Sequence, residues 1–150
     1  MSKAKTSIIW FRRDLRINDH PALLAAIESS EQIIPLFILD KQQIEEAGSK
    51  LLAYMGQSLR LLDESLGNKL HIIEGDQVEV LSILIKKYEV QEVHISDEYE
   101  RFGAARDARV EAAGIKLVRT GSPYAVTPGR VVKPSDGTPY KVYTDRKSVV

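Results

Sequence analysis

Two stretches concentrate the residue types that could do chemistry. The first is Ile8-Ile9-Trp10-Phe11-Arg12-Arg13-Asp14-Leu15-Arg16, running through Asn18, Asp19 and His20 to Pro21. The second is Ser96-Asp97-Glu98-Tyr99-Glu100-Arg101-Phe102-Gly103, followed by Arg106-Asp107. Guanidinium groups, carboxylates and aromatic rings suit recognition of a ligand. A planar heteroaromatic could stack on Tyr99 or Phe102 and be hydrogen-bonded at its edge by Asp97, Glu98 or Arg13. The competing reading is an ion-paired loop in which Phe102 merely docks its helix, and composition alone leans that way. Cysteine is absent, which excludes disulfides, thiolate metal sites and cysteine nucleophiles. His20, His71 and His94 lack ligand spacing, and His71 and His94 read as ordinary hydrogen-bonded histidines beside apolar strand residues.

Placing these groups requires strands that stop where the charges begin. Thr6 to Phe11 has the length and β-branched content of a buried strand, which cannot carry unpaired charges. Asp19 or His20 before Pro21 then starts a helix. This puts arginines at the carboxyl end of a strand, where ligands bind in open α/β sheets. A second apolar run, residues 33–39, is stopped by Asp40, and Pro35 within it is predicted at the strand's start or at a bulge. Leu51, Leu52, Met55, Leu59, Leu62 and Leu66 make one helical stripe over residues 50–66, ended by Gly67-Asn68. A third strand at 70–74 precedes a helix carrying Val78, Leu81, Leu84, Ile85 and Tyr88. A fourth strand at 92–96, a helix at 101–113 and a fifth strand at 115–119 complete the alternation. Such alternation predicts a doubly wound parallel sheet in three α/β/α layers, but it leaves the strand order open.

The 150 residues suit one domain with a real core. The apolar fraction of 43% and charged fraction of 28% are those of a globular protein. The charges balance at 21 of each sign but are unevenly spread. Residues 1–27 and 101–150 are basic around an acidic middle, so no continuous track for nucleic acid is expected. No apolar run reaches a membrane helix, and residues 1–6 lead into the first strand without a signal-peptide cleavage pattern. A cytoplasmic protein is expected. Residues 121–150 differ in kind, with Gly121, Pro123, Pro128, Gly129, Pro134, Gly137 and Pro139 marking an irregular connector.

The run IIWFRRDLRINDHPAL resembles the opening of the DNA photolyase and cryptochrome family, W-F-R-R-D-L-R-x-x-D-x-P-A-L. GTPYKVYT, ending at Thr144, is similar to the start of that family's interdomain linker, and the pattern departs at Asp145-Arg146. The resemblance implies a Rossmann-like antenna domain over residues 1–120 and the beginning of a linker over 121–150. It also implies strand order 3-2-1-4-5, with the switch point between strands one and four. Arg12–Arg16 and Asp97–Gly103 then face one crevice.

In that crevice the family holds an antenna pigment: a folate, an 8-hydroxy-5-deazaflavin or FMN. Folate-type members carry an Asn-Glu pair where this chain has Phe102-Gly103. The run from Glu98 to Asp107 is more similar to the deazaflavin branch, so a deazaflavin or FMN is expected in preference to a folate. Carried over by position, the pigment contacts are Arg13, Phe37, and Asp97 or Glu98. Phe102 offers a ring face, and Gly103 a close backbone approach. That branch has an arginine where this chain has Leu51, so an anionic tail is expected to be held less firmly, with Lys50 beside it as the cofactor-binding candidate. Trp10 reads as packing. FAD and light-driven repair belong in the family to a C-terminal helical domain, here expected to be supplied elsewhere. The chain alone is accordingly expected to be inactive as a deoxyribodipyrimidine photo-lyase and to bind DNA weakly or not at all. The alternatives are a stand-alone nucleotide-binding α/β module, for which Gly121-Ser122-Pro123 is a poor phosphate loop, and a remnant that binds nothing.

Overall fold

Strand β1 (Ala4–Phe11) is buried without interruption from Thr6 to Phe11, because it lies between two parallel neighbours with helices on both faces. The computed structural model describes residues 4–139 other than 125, 127 and 128, and the side chains of that range other than 42 and 43. After β1 follow α1 (Pro21–Ser29), β2 (Ser30–Leu39), α2 (Lys41–Glu46), α3 (Ser49–Ser65) and β3 (His71–Glu74). Then come α4 (Gln77–Tyr88), β4 (Glu92–Ile95), α5 (Arg101–Ala112) and β5 (Leu117–Arg119). The sheet is parallel throughout in the order β3-β2-β1-β4-β5. The fold class and the strand order are therefore those the sequence led us to expect.

The alternation of a strand sorts the core into two layers. Ile8 and Trp10 face α4 and α5, where they pack with Leu36, Leu81, Ile95 and Val110. Ile9 and Phe11 face α1 and α3, packing with Ala22, Leu23, Phe37, Leu59 and Leu62. Helix α4 is fixed at its start by Asp76, whose carboxylate accepts from the Val78 and Glu79 amides, and Lys86 and Lys87 lie in its last turn, favourable to the helix dipole.

Four local readings need correction. Pro35 is neither at the start of β2 nor at a bulge but well inside the strand, opposite Ile9 of β1. It is tolerated because β3 pairs with β2 only from Leu36 onward, so at Pro35 the strand has one neighbour and no missing ladder bond on the β3 side. Helix α2 follows Asp40 and was not anticipated, being too short to show a period. Leu51, placed on the buried stripe of α3, is 59% exposed, because it lines an open cavity instead of joining the core that Leu59 and Leu62 enter. The fifth strand is also shorter than predicted, beginning at Leu117.

Past β5 the described part of residues 121–139 is irregular apart from one antiparallel bridge, Val132 to Pro139. The linker-like run from Tyr140 to Thr144 and the break at Asp145-Arg146 lie outside the described residues. Gly121 is the hinge of this exit. Its carbonyl accepts from the Asp97 amide at 2.9 Å, its φ is +69°, and a Cβ there would lie 2.8 Å from Cβ and Cγ of Pro21. Gly121→Ala is expected to cost about 1–2 kcal/mol through left-handed strain and this collision. Urea unfolding measures it, and an unchanged midpoint would show that the segment simply gives way.

Candidate ligand site at the switch point

Beyond Phe11 the chain leaves the sheet, yet the first charge is not released to solvent. The Arg12 side chain is only 5% exposed. Its Nη1 donates to Asp107 Oδ1 at 2.7 Å, its Nε lies 3.1 Å from Glu98 Oε1, and its Nη2 donates to the Ser96 carbonyl. Arg106, from α5, joins the same two carboxylates at 2.8 Å to Asp107 and 3.3 Å to Glu98. The two guanidinium carbons lie 5.3 Å and 5.0 Å from the centroid of the Trp10 ring, within cation–π range. Burial, and then the nearby Arg106 charge, hold the Arg12 pKa below its ordinary value against the opposing pull of Glu98 and Asp107. Two cations and two carboxylates thus compensate one another beside the only tryptophan of the chain.

A second polar knot ties the same corner to β4 and α1. Ser96 donates its hydroxyl to Asp14 Oδ2, and His20 Nε2 approaches that oxygen obliquely at 3.1 Å. His20 Nδ1 accepts from the Leu23 amide at 3.1 Å, so His20 is the N-cap of α1 and its ring proton sits on Nε2, toward Asp14. Burial alone would raise the Asp14 pKa, but the hydrogen bonds from His20 and Ser96 outweigh it and hold the carboxyl at about 2. His94, on β4, is buried with Nε2 3.3 Å from Ser29 Oγ, whereas His71 is exposed on edge strand β3.

Arg13 points outward. It is 51% exposed and makes a two-pronged pair with Glu100, at 2.8 Å and 2.5 Å, and lies 3.7 Å from Glu98. The hydrogen bonds it donates to Glu100 raise its pKa, more than its slight burial lowers it. Beside it, at the carboxyl ends of β1, β2 and β4, a cavity of about 550 Å³ opens between the sheet and α2–α3. Its apolar wall includes Trp10, Phe37, Leu51, Met55 and Phe102, and its charged rim includes Arg13, Glu98 and Arg106. An aromatic ligand with a polar or anionic edge fits those walls.

Of the residues singled out in the sequence, Arg13, Phe37, Glu98 and Phe102 meet at this cavity. Lys50 is exposed at the start of α3 and is not among the lining residues. Asp97 is likewise not in the lining. It lies 3.5 Å from Arg119, while its amide binds Gly121. The close approach expected at Gly103 is taken by Glu98 itself: a Cβ on Gly103 would fall 2.6 Å from Glu98 Oε2 and 3.0 Å from its Cβ. Trp10 is packing, as expected, but it also lines the cavity. The compensating network of Arg12, Arg106 and Asp107 was missed as a unit. Its only signal was Arg106-Asp107 recurring within helical reach of the Glu98 loop. Among the described residues no group of His, Asp or Glu is arranged to hold a metal ion. No described helix is long and apolar enough to cross a membrane.

A parallel sheet in this order, with helices on both faces and a cavity beyond the carboxyl ends of its central strands, defines a doubly wound α/β domain. The chain belongs to the DNA photolyase family, whose sequence model matches residues 7–150. It is 32% identical over 145 residues to the deoxyribodipyrimidine photo-lyase of Synechococcus sp., covering 91% of this chain and 30% of that protein. It is 27% identical over 157 residues to the (6-4)DNA photolyase of Arabidopsis thaliana, covering 93% of this chain and 28% of that one. Among solved structures, a bacterial class III photolyase from Agrobacterium tumefaciens superposes with a TM-score of 0.79 at 28% identity, covering 96% of this chain and 31% of that one. An archaeal photolyase from Sulfolobus tokodaii, described with two FAD molecules and a novel light-harvesting cofactor, gives 0.75 at 28% identity, covering 85% and 32%. The chain thus spans about 30% of the length of these relatives.

Proposed function

We propose that the chain is the antenna half of a photolyase-type protein. It holds a light-absorbing flavin or deazaflavin in the switch-point cavity and passes excitation to an FAD bound in a helical domain outside these residues. On this reading the chain alone neither repairs pyrimidine dimers nor binds DNA tightly, because electron transfer and base recognition reside in that other domain. The observation that carries the proposal is the cavity itself, with an aromatic and aliphatic wall at the carboxyl ends of the central strands and the exposed guanidinium of Arg13 at its rim. The Sulfolobus tokodaii relative, described with two FAD molecules and the implication of a novel light-harvesting cofactor, supports a flavin-class pigment. A folate is the less fitting occupant, since the Phe102 position offers a ring where a polar partner would be wanted.

Trp10 supplies the readout. As the only tryptophan and a cavity-lining one, it is expected to lose fluorescence when FMN or a deazaflavin enters. Titration with FMN, a deazaflavin and a folate should rank the folate last, and a folate preference would overturn the pigment assignment. Arg13→Ala is expected to weaken FMN binding by only about 1 kcal/mol. The guanidinium is half exposed and already paired with Glu100, so its hydrogen bond to an anion is screened and shared. Unchanged FMN affinity in that variant would remove Arg13 from the site.

A further inference from the structure

The chain has one tryptophan, and the fold sets it in the wall of the pigment cavity. Trp10 stands on the central strand β1, opposite Leu36 of β2. It is 3% exposed and packs in the cluster that includes Leu81, Ile95 and Val110. The guanidinium carbons of Arg12 and Arg106 lie over its ring, 5.3 Å and 5.0 Å from the centroid. Both groups are held in turn by Glu98 and Asp107. The indole is therefore dry, close-packed and fixed in one orientation relative to the cavity it lines.

Those are conditions in which an indole gives its excitation to a neighbour. Indole absorbs ultraviolet light and emits in the near ultraviolet, where flavins absorb, and burial spares it collisional quenching by solutes. Resonance transfer falls steeply with distance, and a cavity of about 550 Å³ keeps any ring inside it beside the wall. The competing route is loss of an electron from the indole to the excited ring. The two guanidinium groups oppose it, because each would then lie over a second positive charge. We propose that Trp10 is a second antenna, which absorbs ultraviolet light and passes the excitation to the flavin or deazaflavin in the cavity. Only energy moves: no electron or proton changes place. The inference rests on the pigment-binding reading above and deepens it, since it extends the light the site collects into the ultraviolet band in which pyrimidine dimers form.

The test uses the whole chain, FMN as the probe and excitation at the red edge of indole absorption, where tyrosine is silent. Without FMN, Trp10 is expected to emit strongly and to resist quenching by acrylamide. An indole already dark in the free chain has no excitation to give, and that result overturns the proposal. With the sites filled with FMN, as equilibrium dialysis verifies, the indole decay is expected to shorten. Transient absorption is expected to show excited FMN building up with the same time constant, whether or not the bound FMN emits. In Trp10→Phe that delayed rise is expected to vanish, leaving only FMN excited directly; the match of decay and rise in wild type decides the matter even if the variant does not fold. An indole decay that shortens with no matching rise of excited FMN, or a decay that FMN leaves unchanged, overturns the ultraviolet antenna while leaving the cavity a pigment site. Failure of wild type to bind either FMN or a deazaflavin overturns the pigment-binding reading as well.

Discussion

Asp107→Ala is expected to lower the unfolding free energy by about 3–5 kcal/mol, the range for breaking a buried pair from one side. The Asp107 side chain is 3% exposed and receives both Arg12 and Arg106. Its removal leaves two guanidinium groups beside Trp10 with Glu98 as their one remaining carboxylate. Arginine does not shed its proton to escape, so the destabilisation appears in full rather than as a pKa change. Joint replacement with Arg12→Met is expected to cost clearly less than the sum of the single changes, because the second substitution removes a charge the first left stranded. Urea unfolding of the two single variants and the double variant measures this. A loss under about 1 kcal/mol for Asp107→Ala, or strict additivity, would mean that water reaches the cluster and replaces the lost carboxylate.

This cluster also shows where sequence reading succeeds and where it stops. The strand-to-helix corner after Phe11 was legible because an unbroken apolar run ends abruptly in charge and is followed by a helix start at Pro21. Strand and helix periods elsewhere carried the layer architecture, and the family resemblance carried the order of the strands, which periodicity cannot fix. The crevice between the Arg12 and Glu98 loops followed from that order. The fate of each charge did not follow. Arg12 and Arg13 are adjacent and of the same type, yet one is buried at 5% exposure and the other is 51% exposed. The difference is set by Asp107, ninety-five residues away from Arg12 in sequence. Likewise Glu98 and Asp97 looked interchangeable, but the chain direction at the end of β4 turns one toward the cavity and the other toward Arg119. The pairing of Asp40 with Gln77 in the cavity wall left no pattern at all, since it depends on two turns on neighbouring strands.

Stability is expected to fall in two main steps as the solution is acidified, each led by one buried group, with partly exposed Glu92 and exposed Glu100, also held below their ordinary values, adding smaller losses in the acid range. The first belongs to His94. Burial, aided by the Lys116 charge, lowers its pKa from the ordinary 6.5 against the opposing pull of Glu92. Its Nδ1 is also buried with no partner, so the added proton would find no acceptor there. The unfolded chain therefore takes up this proton first, and stability begins to fall once the pH drops below about 6.5. The second step belongs to Asp14. Burial pushes its carboxyl upward, yet the hydrogen bonds from His20 and Ser96 hold it at about 2, below the ordinary 3.8. A depressed carboxyl contributes stability that is fully present above the unfolded value and is lost as the pH falls through the folded one. That contribution is about 2 kcal/mol, retained above about pH 5 and gone below about pH 2. Asp14→Asn should flatten the stability curve between those limits without altering the step near neutrality, and His94→Gln should do the reverse. Urea midpoints taken at intervals from pH 7.5 to 2.5 separate the two; if the Asp14→Asn curve runs parallel to wild type through the acid range, the pull of His20 and Ser96 on that carboxylate is not what holds the corner together.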